Sequence, residues 1–221
     1  MAKLYFRYGA MNSGKSTALL QAAYNYEERG QRVLLAKPAI DSKGQSSIVS
    51  RLGVTRPVDF TISADADVAE LFRAERERAA RESGGDVACL LVDEAQFLDE
   101  RQVDDLLRIA IEQDVPVLAY GIRTDFQTVA FPGSRRLLEI AHSLEELKTI
   151  CRCGRKAMFN ARVVDGVFVF AGDQVAIDGA DVTYEALCGQ CYLEESGGVL
   201  NRGSRPGLDF SYGAEPDADF S

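Results

Sequence analysis

Residues 9–16 read Gly9-Ala10-Met11-Asn12-Ser13-Gly14-Lys15-Ser16, a G-x-x-x-x-G-K-S pattern filled at every constrained position. A short β-prone run, Leu4, Tyr5, Phe6 and Tyr8, precedes it, and Thr17 to Ala23 reads as a helix. The order strand, loop, helix is what such a motif needs. Gly9 and Gly14 let backbone N–H groups turn around phosphate oxygens, and the helix N-terminus adds its partial positive charge at the same point. Lys15 is then expected to reach the β- and γ-phosphates and the Ser16 hydroxyl to ligate Mg²⁺. The motif implies binding of a nucleoside triphosphate and leaves the fate of the γ-phosphate open.

The pattern that follows continues an α/β chain. Gly30 caps the first helix, and Arg32 to Ala36 reads as a second strand, completing a βαβ unit. Residues 38–57, opened by Pro38 and lacking a clear period, read as one long loop beside the phosphate site. Val58 to Ile62 alternates as a strand, and Val68 to Glu82 as a helix whose Arg/Glu run is a solvated face. Val87 to Val92 is an unbroken apolar run of the kind found in a central parallel strand, with Cys89 inside the core.

That strand ends in Asp93-Glu94-Ala95-Gln96-Phe97. An acid at the tip of a buried strand holds Mg²⁺ in P-loop proteins, and Asp93 fits that part. Glu94 follows near the γ-phosphate, where it could take a proton from an attacking hydroxyl or from water, so kinase and ATPase both stay open. Asp99 and Gln102 make a capping box for a helix striped by Val103, Leu106, Leu107 and Ala110. Val115 to Tyr120 is another buried strand, and the loop at its end places Arg123 where it could face phosphate and Phe126 where it could face a base. His142, the only histidine, is given no role.

Beyond residue 150 the pattern changes. Cys151 and Cys153, then Cys188 and Cys191, form two close pairs separated by the 34 residues 154–187, a spacing suited to a four-thiolate zinc site. Cysteines at i and i+2 face opposite ways on a straight strand, so the first pair requires a bend, which Gly154 permits. Asp165-Gly166 between two apolar runs predicts a tight hairpin. An excursion with so little apolar surface should be organised by its metal and fold over something, and losing the metal is expected to spare the P-loop domain.

Together, the P-loop with its internal methionine, Asp93 to Phe97, Tyr120-Gly121-Ile122-Arg123-Thr124-Asp125-Phe126 and the four cysteines resemble the type II, zinc-containing thymidine kinase family over residues 1–195. The resemblance implies a P-loop α/β domain over residues 1–150, with a parallel sheet flanked by helices, and a zinc-binding lasso domain over residues 151–195. It implies phosphoryl transfer from ATP to the 5′-hydroxyl of thymidine, more weakly of deoxyuridine, with Glu94 as proton acceptor. Residues 9–16, Asp93, Glu94, Ala95 and Gln96 would surround the phosphates, with Ser16 and Asp93 holding Mg²⁺ and Cys151, Cys153, Cys188 and Cys191 holding Zn²⁺. The lasso would bind thymine through the main chain of Val175, Ala176, Ile177, Asp178 and Gly179. Met11, Phe97, Phe126 and Tyr184 would line the nucleoside site, with Arg123 beside them.

A homotetramer inhibited by thymidine triphosphate is the further implication. In the long loop this chain has Asp41-Ser42-Lys43 where relatives often carry Asp followed by Arg, replacing a bidentate contact by a point charge. Residues 203–221, acidic and containing Pro206 and Pro216, read as a disordered tail.

Composition limits the alternatives. A net charge of −9 over 221 residues argues against an extended duplex-binding surface and so against a nucleic-acid partner, and a zinc-ribbon nucleic-acid binder would need a basic ribbon, whereas residues 151–195 mix Arg152, Arg155, Lys156 and Arg162 with seven acids. The absence of a long apolar run or leader argues against a membrane partner and for a cytoplasmic protein. The competing enzyme is an ATPase that uses Glu94 to activate water.

Overall fold

The computed structural model describes residues 1–39, 47–83, 85–172, 174 and 182–200. The substrate residues expected at 175–179, the Asp41-Ser42-Lys43 stretch and the acidic tail lie outside the described residues.

The chain starts with β1 (Leu4–Tyr8), the phosphate-loop motif and α1 (Lys15–Glu27), then β2 (Arg32–Pro38). Residues 38–57, expected to be one long loop, instead contain a hairpin of β3 (Ser47–Val49) and β4 (Thr55–Pro57), closed by Ser50 N–H donating to the Val54 carbonyl at 2.8 Å. Three-residue strands are too short to show a period, yet Ile48 is 2% exposed and anchors the hairpin on the α1 side of the sheet. β5 (Phe60–Ile62), α2 (Val68–Ser83) and β6 (Val87–Val92) follow. β5 begins two residues later than its alternation suggests, because the Asp59 carboxylate takes the Leu35 N–H at 2.7 Å and the Arg32 guanidinium at 2.6 Å.

A 3-10 turn, Ala95–Phe97, links β6 to α3 (Glu100–Glu112), whose capping box is complete: Asp99 accepts from Gln102 N–H and the Gln102 side chain accepts from Asp99 N–H. β7 (Val117–Gly121), α4 (Pro132–Ile140) and β8 (Ser143–Glu146) complete the main body. The central sheet has six strands in the order β5-β2-β6-β7-β1-β8, every pairing parallel. One face packs Leu34, Leu90, Val92 and Phe6 against Phe72 of α2, Leu106 of α3 and Leu137 of α4. The other packs Val33, Leu35, Leu91 and Tyr120 against Leu19, Leu20 and Ala23 of α1. With both faces covered, the strands read as continuous apolar runs. His142 has a structural part, since its Nδ1 accepts the Leu4 N–H at 3.1 Å where β8 meets β1.

The remaining elements form a small β-rich unit. β9 (Thr149–Ile150) pairs with β10 (Lys156–Ala157), and β11 (Phe159–Val164) lies between β12 (Val167–Val169) and β13 (Val182–Leu187), all antiparallel. Asp165 and Gly166 take positive φ, 49° and 80°, as a two-residue hairpin turn requires. α5 (Gly189–Glu195) closes the unit. Its buried cluster joins Cys151, Cys188, Cys191, Leu187 and Tyr192 and also includes Ala10 of the phosphate loop.

Candidate active site

Because β7 lies between β1 and β6, the C-terminal ends of three adjacent strands converge and bring together the phosphate loop, Asp93-Glu94 and the loop after Gly121. Gly9 N–H donates to the Gly121 carbonyl at 3.3 Å, joining the first and third of these. Asn12 (φ 68°) and Gly14 (φ 78°) turn the loop, and α1 starts at Lys15. The Lys15 ammonium donates to the Ala10 carbonyl at 3.0 Å. Burial lowers its pKa, while the Glu94 and Asp93 charges act in the opposite direction.

Asp93 extends β6 by one more ladder bond, its N–H donating to the Ala36 carbonyl at 2.9 Å. Its side chain is buried, accepting from the Ser16 hydroxyl at 3.2 Å and from Glu94 N–H at 3.1 Å. Burial, followed by the charge of Glu94, pushes its pKa up to about 6. The next residue, Glu94, sits in the left-handed region at φ 51°, a conformation that costs a side-chain-bearing residue about 1 kcal/mol. It is kept there by a wedge. Gln96, 1% exposed, donates its amide to Glu94 Oε2 and accepts Ile122 N–H at 3.2 Å.

Gly121 and Gly133 lie against the turn from two sides. A Cβ on Gly121 would stand 2.7 Å from Gln96 Oε1, and one on Gly133 would stand 2.5 Å from the Ala95 carbonyl and 2.7 Å from the Leu98 carbonyl. Gln96, expected beside the phosphates, thus points at the glutamate and the β7 loop.

A pocket of about 380 Å³ opens beside this turn, with Met11, Phe97, Ile122, Phe126 and Phe131 as its apolar wall. Asp125, Asn160, Gln174 and Tyr184 supply its polar groups. Phe97 and Phe131 meet edge to face at 5.4 Å between centroids. Phe126 lines the pocket and is held from two sides: the Arg162 guanidinium lies 3.7 Å from its ring centroid, and its carbonyl accepts from Tyr192 Oη at 2.6 Å. Arg162 also donates to Tyr184 Oη at 3.2 Å and to the Gln174 carbonyl at 3.0 Å. Gln174 reaches Asp125 Oδ2 at 3.0 Å. Arg123 lines a second hollow, of about 240 Å³, with Gly9, Ala10, Thr124, Glu146 and Asn160.

Asp125, Phe131, Asn160, Arg162 and Gln174 stand at this site without an individual role expected from the sequence. An arginine in an otherwise apolar strand, Ala161-Arg162-Val163-Val164, was the one available signal.

The four cysteines come together with all Sγ atoms within 4.8 Å of one another. Zn–S bonds of about 2.3 Å in a tetrahedron put sulfurs about 3.8 Å apart, so the set fits one zinc ion with small adjustments. The first pair bends as its spacing requires, Gly154 N–H donating to the Cys151 carbonyl at 2.8 Å. Cys188 caps α5 and accepts Cys191 N–H at 3.5 Å, which takes its pKa down to about 6.

A parallel sheet with a phosphate loop, a buried aspartate bonded to the loop serine, a following glutamate and an aromatic pocket define a P-loop phosphotransferase acting on a small organic acceptor. The thymidine kinase family model matches residues 2–192. Similar proteins include thymidine kinases of Idiomarina loihiensis, 49% identical over 89% of this chain and 99% of its own length, and of Ruegeria pomeroyi, 46% identical over 89% and 96%. The thymidine kinase of Enterobacteria phage T4 is 47% identical over 85% and 94%. The chain belongs to the thymidine kinase family, and no described helix is long and apolar enough to cross a membrane.

Proposed function

We propose that the chain phosphorylates thymidine from ATP with Glu94 as the general base. Glu94 accepts the proton of the 5′-hydroxyl, the hydroxyl oxygen bonds to the γ-phosphorus, and the bond from phosphorus to the β,γ-bridging oxygen breaks, leaving ADP. Lys15 and the loop N–H groups bind the transferring phosphoryl group. Ser16 and Asp93 are the residues that would hold Mg²⁺, which when bound neutralises charge on the β- and γ-phosphates. Cys151, Cys153, Cys188 and Cys191 would hold Zn²⁺, which when bound ties β9–β10 to α5. Residues 1–150 act as the donor domain and 151–195 as the acceptor-covering one.

The observation that carries this reading is the turn itself: Glu94 follows the serine-bonded Asp93 directly, and Phe97 of the same turn lines the 380 Å³ pocket. Met11, Phe126, Tyr184 and the main chain of 175–179 are assigned to the nucleoside, and Arg123 to the phosphate side. Thymidine triphosphate carries both the acceptor's base and the donor's phosphates, which supports its role as a feedback inhibitor. The homotetramer rests on family resemblance, and a cytoplasmic location is the expectation from the sequence, which has no long apolar run.

The test is a nucleoside panel with ATP and Mg²⁺. Thymidine should be phosphorylated, and deoxyuridine more slowly, because one lost methyl costs about 1–3 kcal/mol. Deoxycytidine, whose hydrogen-bonding edge exchanges donor for acceptor, should be rejected. Glu94→Gln should lower kcat about 10²- to 10⁴-fold with ATP affinity retained. ATP hydrolysis unaffected by nucleoside would overturn the reading in favour of an ATPase.

A further inference from the structure

Asn160, 3% exposed on β11, donates its amide N–H to the Thr124 carbonyl at 2.8 Å and accepts Met11 N–H at 2.7 Å on its Oδ1. Met11 belongs to the phosphate loop and Thr124 to the loop after β7, so one side chain of the cysteine-bearing unit bonds both. Met11 N–H can only donate and the Thr124 carbonyl can only accept. The amide satisfies the two groups in one orientation alone; a carboxylate would repel the carbonyl, and an apolar side chain would leave both groups unpaired.

Asn160 also stands in the walls of both hollows, the aromatic pocket and the smaller one beside Gly9 and Arg123. A P-loop uses its amides to cradle phosphate, yet here Met11 N–H is committed to another element and sets the loop's shape instead. Ala10, one residue earlier, is packed in the buried cluster of that same unit, and the Thr149 hydroxyl reaches the Asn12 carbonyl at 3.5 Å. A displacement of β11 would therefore be passed to residues 10–12.

From Asn160 bonded at once to the phosphate loop and to the β7 loop, we propose that Asn160 is a positioning residue that couples the donor site to the acceptor site. The proposal rests on the assignment of those two sites given above. Each ligand, by fixing β11, pre-orders the loop that the other must order, which is a coupling free energy between the sites.

The experiment measures calorimetric affinities of the purified full chain for a non-hydrolysable ATP analogue with Mg²⁺ and for thymidine, each alone and with the other ligand saturating. Zinc per chain is determined on the same preparations. The unaltered chain is expected to bind each ligand at least about fivefold tighter in the presence of the other. In Asn160→Leu and Asn160→Ser, both single-ligand affinities should fall and the coupling factor should approach one, with zinc still equimolar. Serine leaves room for a water to pair Met11 and Thr124, so it is the variant that reads out if leucine prevents folding. A coupling factor unchanged in the variants, or weakened thymidine binding with ATP-analogue binding untouched, would overturn the proposal. Loss of zinc in both variants would overturn it too, leaving Asn160 a strut of the small unit. Failure of the unaltered chain to bind either ligand would refute the site assignment instead.

Discussion

Asp93→Asn should make the ligand-free chain more stable while abolishing turnover. An acid whose pKa is higher folded than unfolded holds its proton more tightly when folded, so raising the pH favours the unfolded chain. For Asp93 that cost begins above the ordinary value of 3.8 and is complete above about 6. The full gap corresponds to about 3 kcal/mol; part of it arises from the neighbouring Glu94 charge, so about 2 kcal/mol is the expected gain at pH 7.5. Asparagine keeps the local bonding, since its Oδ1 can accept Glu94 N–H and its amide can donate to Ser16 Oγ, the two partners Asp93 has now.

For a chain of this size 2 kcal/mol corresponds to a melting temperature about 4–8 °C higher. The assay is thermal unfolding without nucleotide or Mg²⁺ between pH 5 and 7.5. The margin should be largest at pH 7.5 and should shrink to about half by pH 5, which lies about midway between the ordinary 3.8 and the folded value of about 6. Adding ATP and Mg²⁺ should stabilise the unaltered chain more than the variant. A variant that melts below the unaltered chain at pH 7.5, or a margin that does not change with pH, would refute the reasoning.

Gly133→Ala should push the Ala95 and Leu98 carbonyls out of place, lowering stability by about 1–3 kcal/mol and kcat with it, read from melting and initial rates on one preparation. Gln96→Leu removes the amide from Glu94 and the acceptor from Ile122 N–H, so kcat should fall about 10- to 100-fold while the KM for ATP stays within about threefold. Cys188→Ser should hold less than equimolar zinc and bind thymidine poorly. Because Ala10 packs in the same cluster as Cys188, ATP affinity should also fall, by a smaller factor; equal affinities before and after would show the two units to be independent.

The sequence made legible what depends on local chemistry. The G-x-x-x-x-G-K-S loop, the capping box at Asp99 and Gln102, the Asp165-Gly166 turn and the cysteine spacing each need particular residues at fixed offsets, and the structure has an element at each. Contacts made across long separations left no such trace. The order β5-β2-β6-β7-β1-β8 is a property of packing, and β3 and β4 are too short to alternate visibly. Asn160 looks like an ordinary polar residue at a strand start, because both its partners, Met11 and Thr124, lie far away along the chain. For the same reason the sequence, from which loss of the metal is expected to spare the P-loop domain, carries no sign that Ala10 and Met11 touch the cysteine-bearing unit.

The two glycines that flank the turn after Glu94 restrict how this enzyme can be redesigned. Backbone from Ala95 to Leu98 is pressed by Gly133 on one side, and the Gln96 side chain by Gly121 on another, so this wall of the aromatic pocket cannot retreat to admit a bulkier ligand. Room has to come from side chains, and Met11, Phe97 and Phe131 are bulky apolar ones in the pocket wall. A library randomised across the pocket for activity on enlarged nucleosides should therefore return smaller residues at those three positions and glycine, unchanged, at 121 and 133.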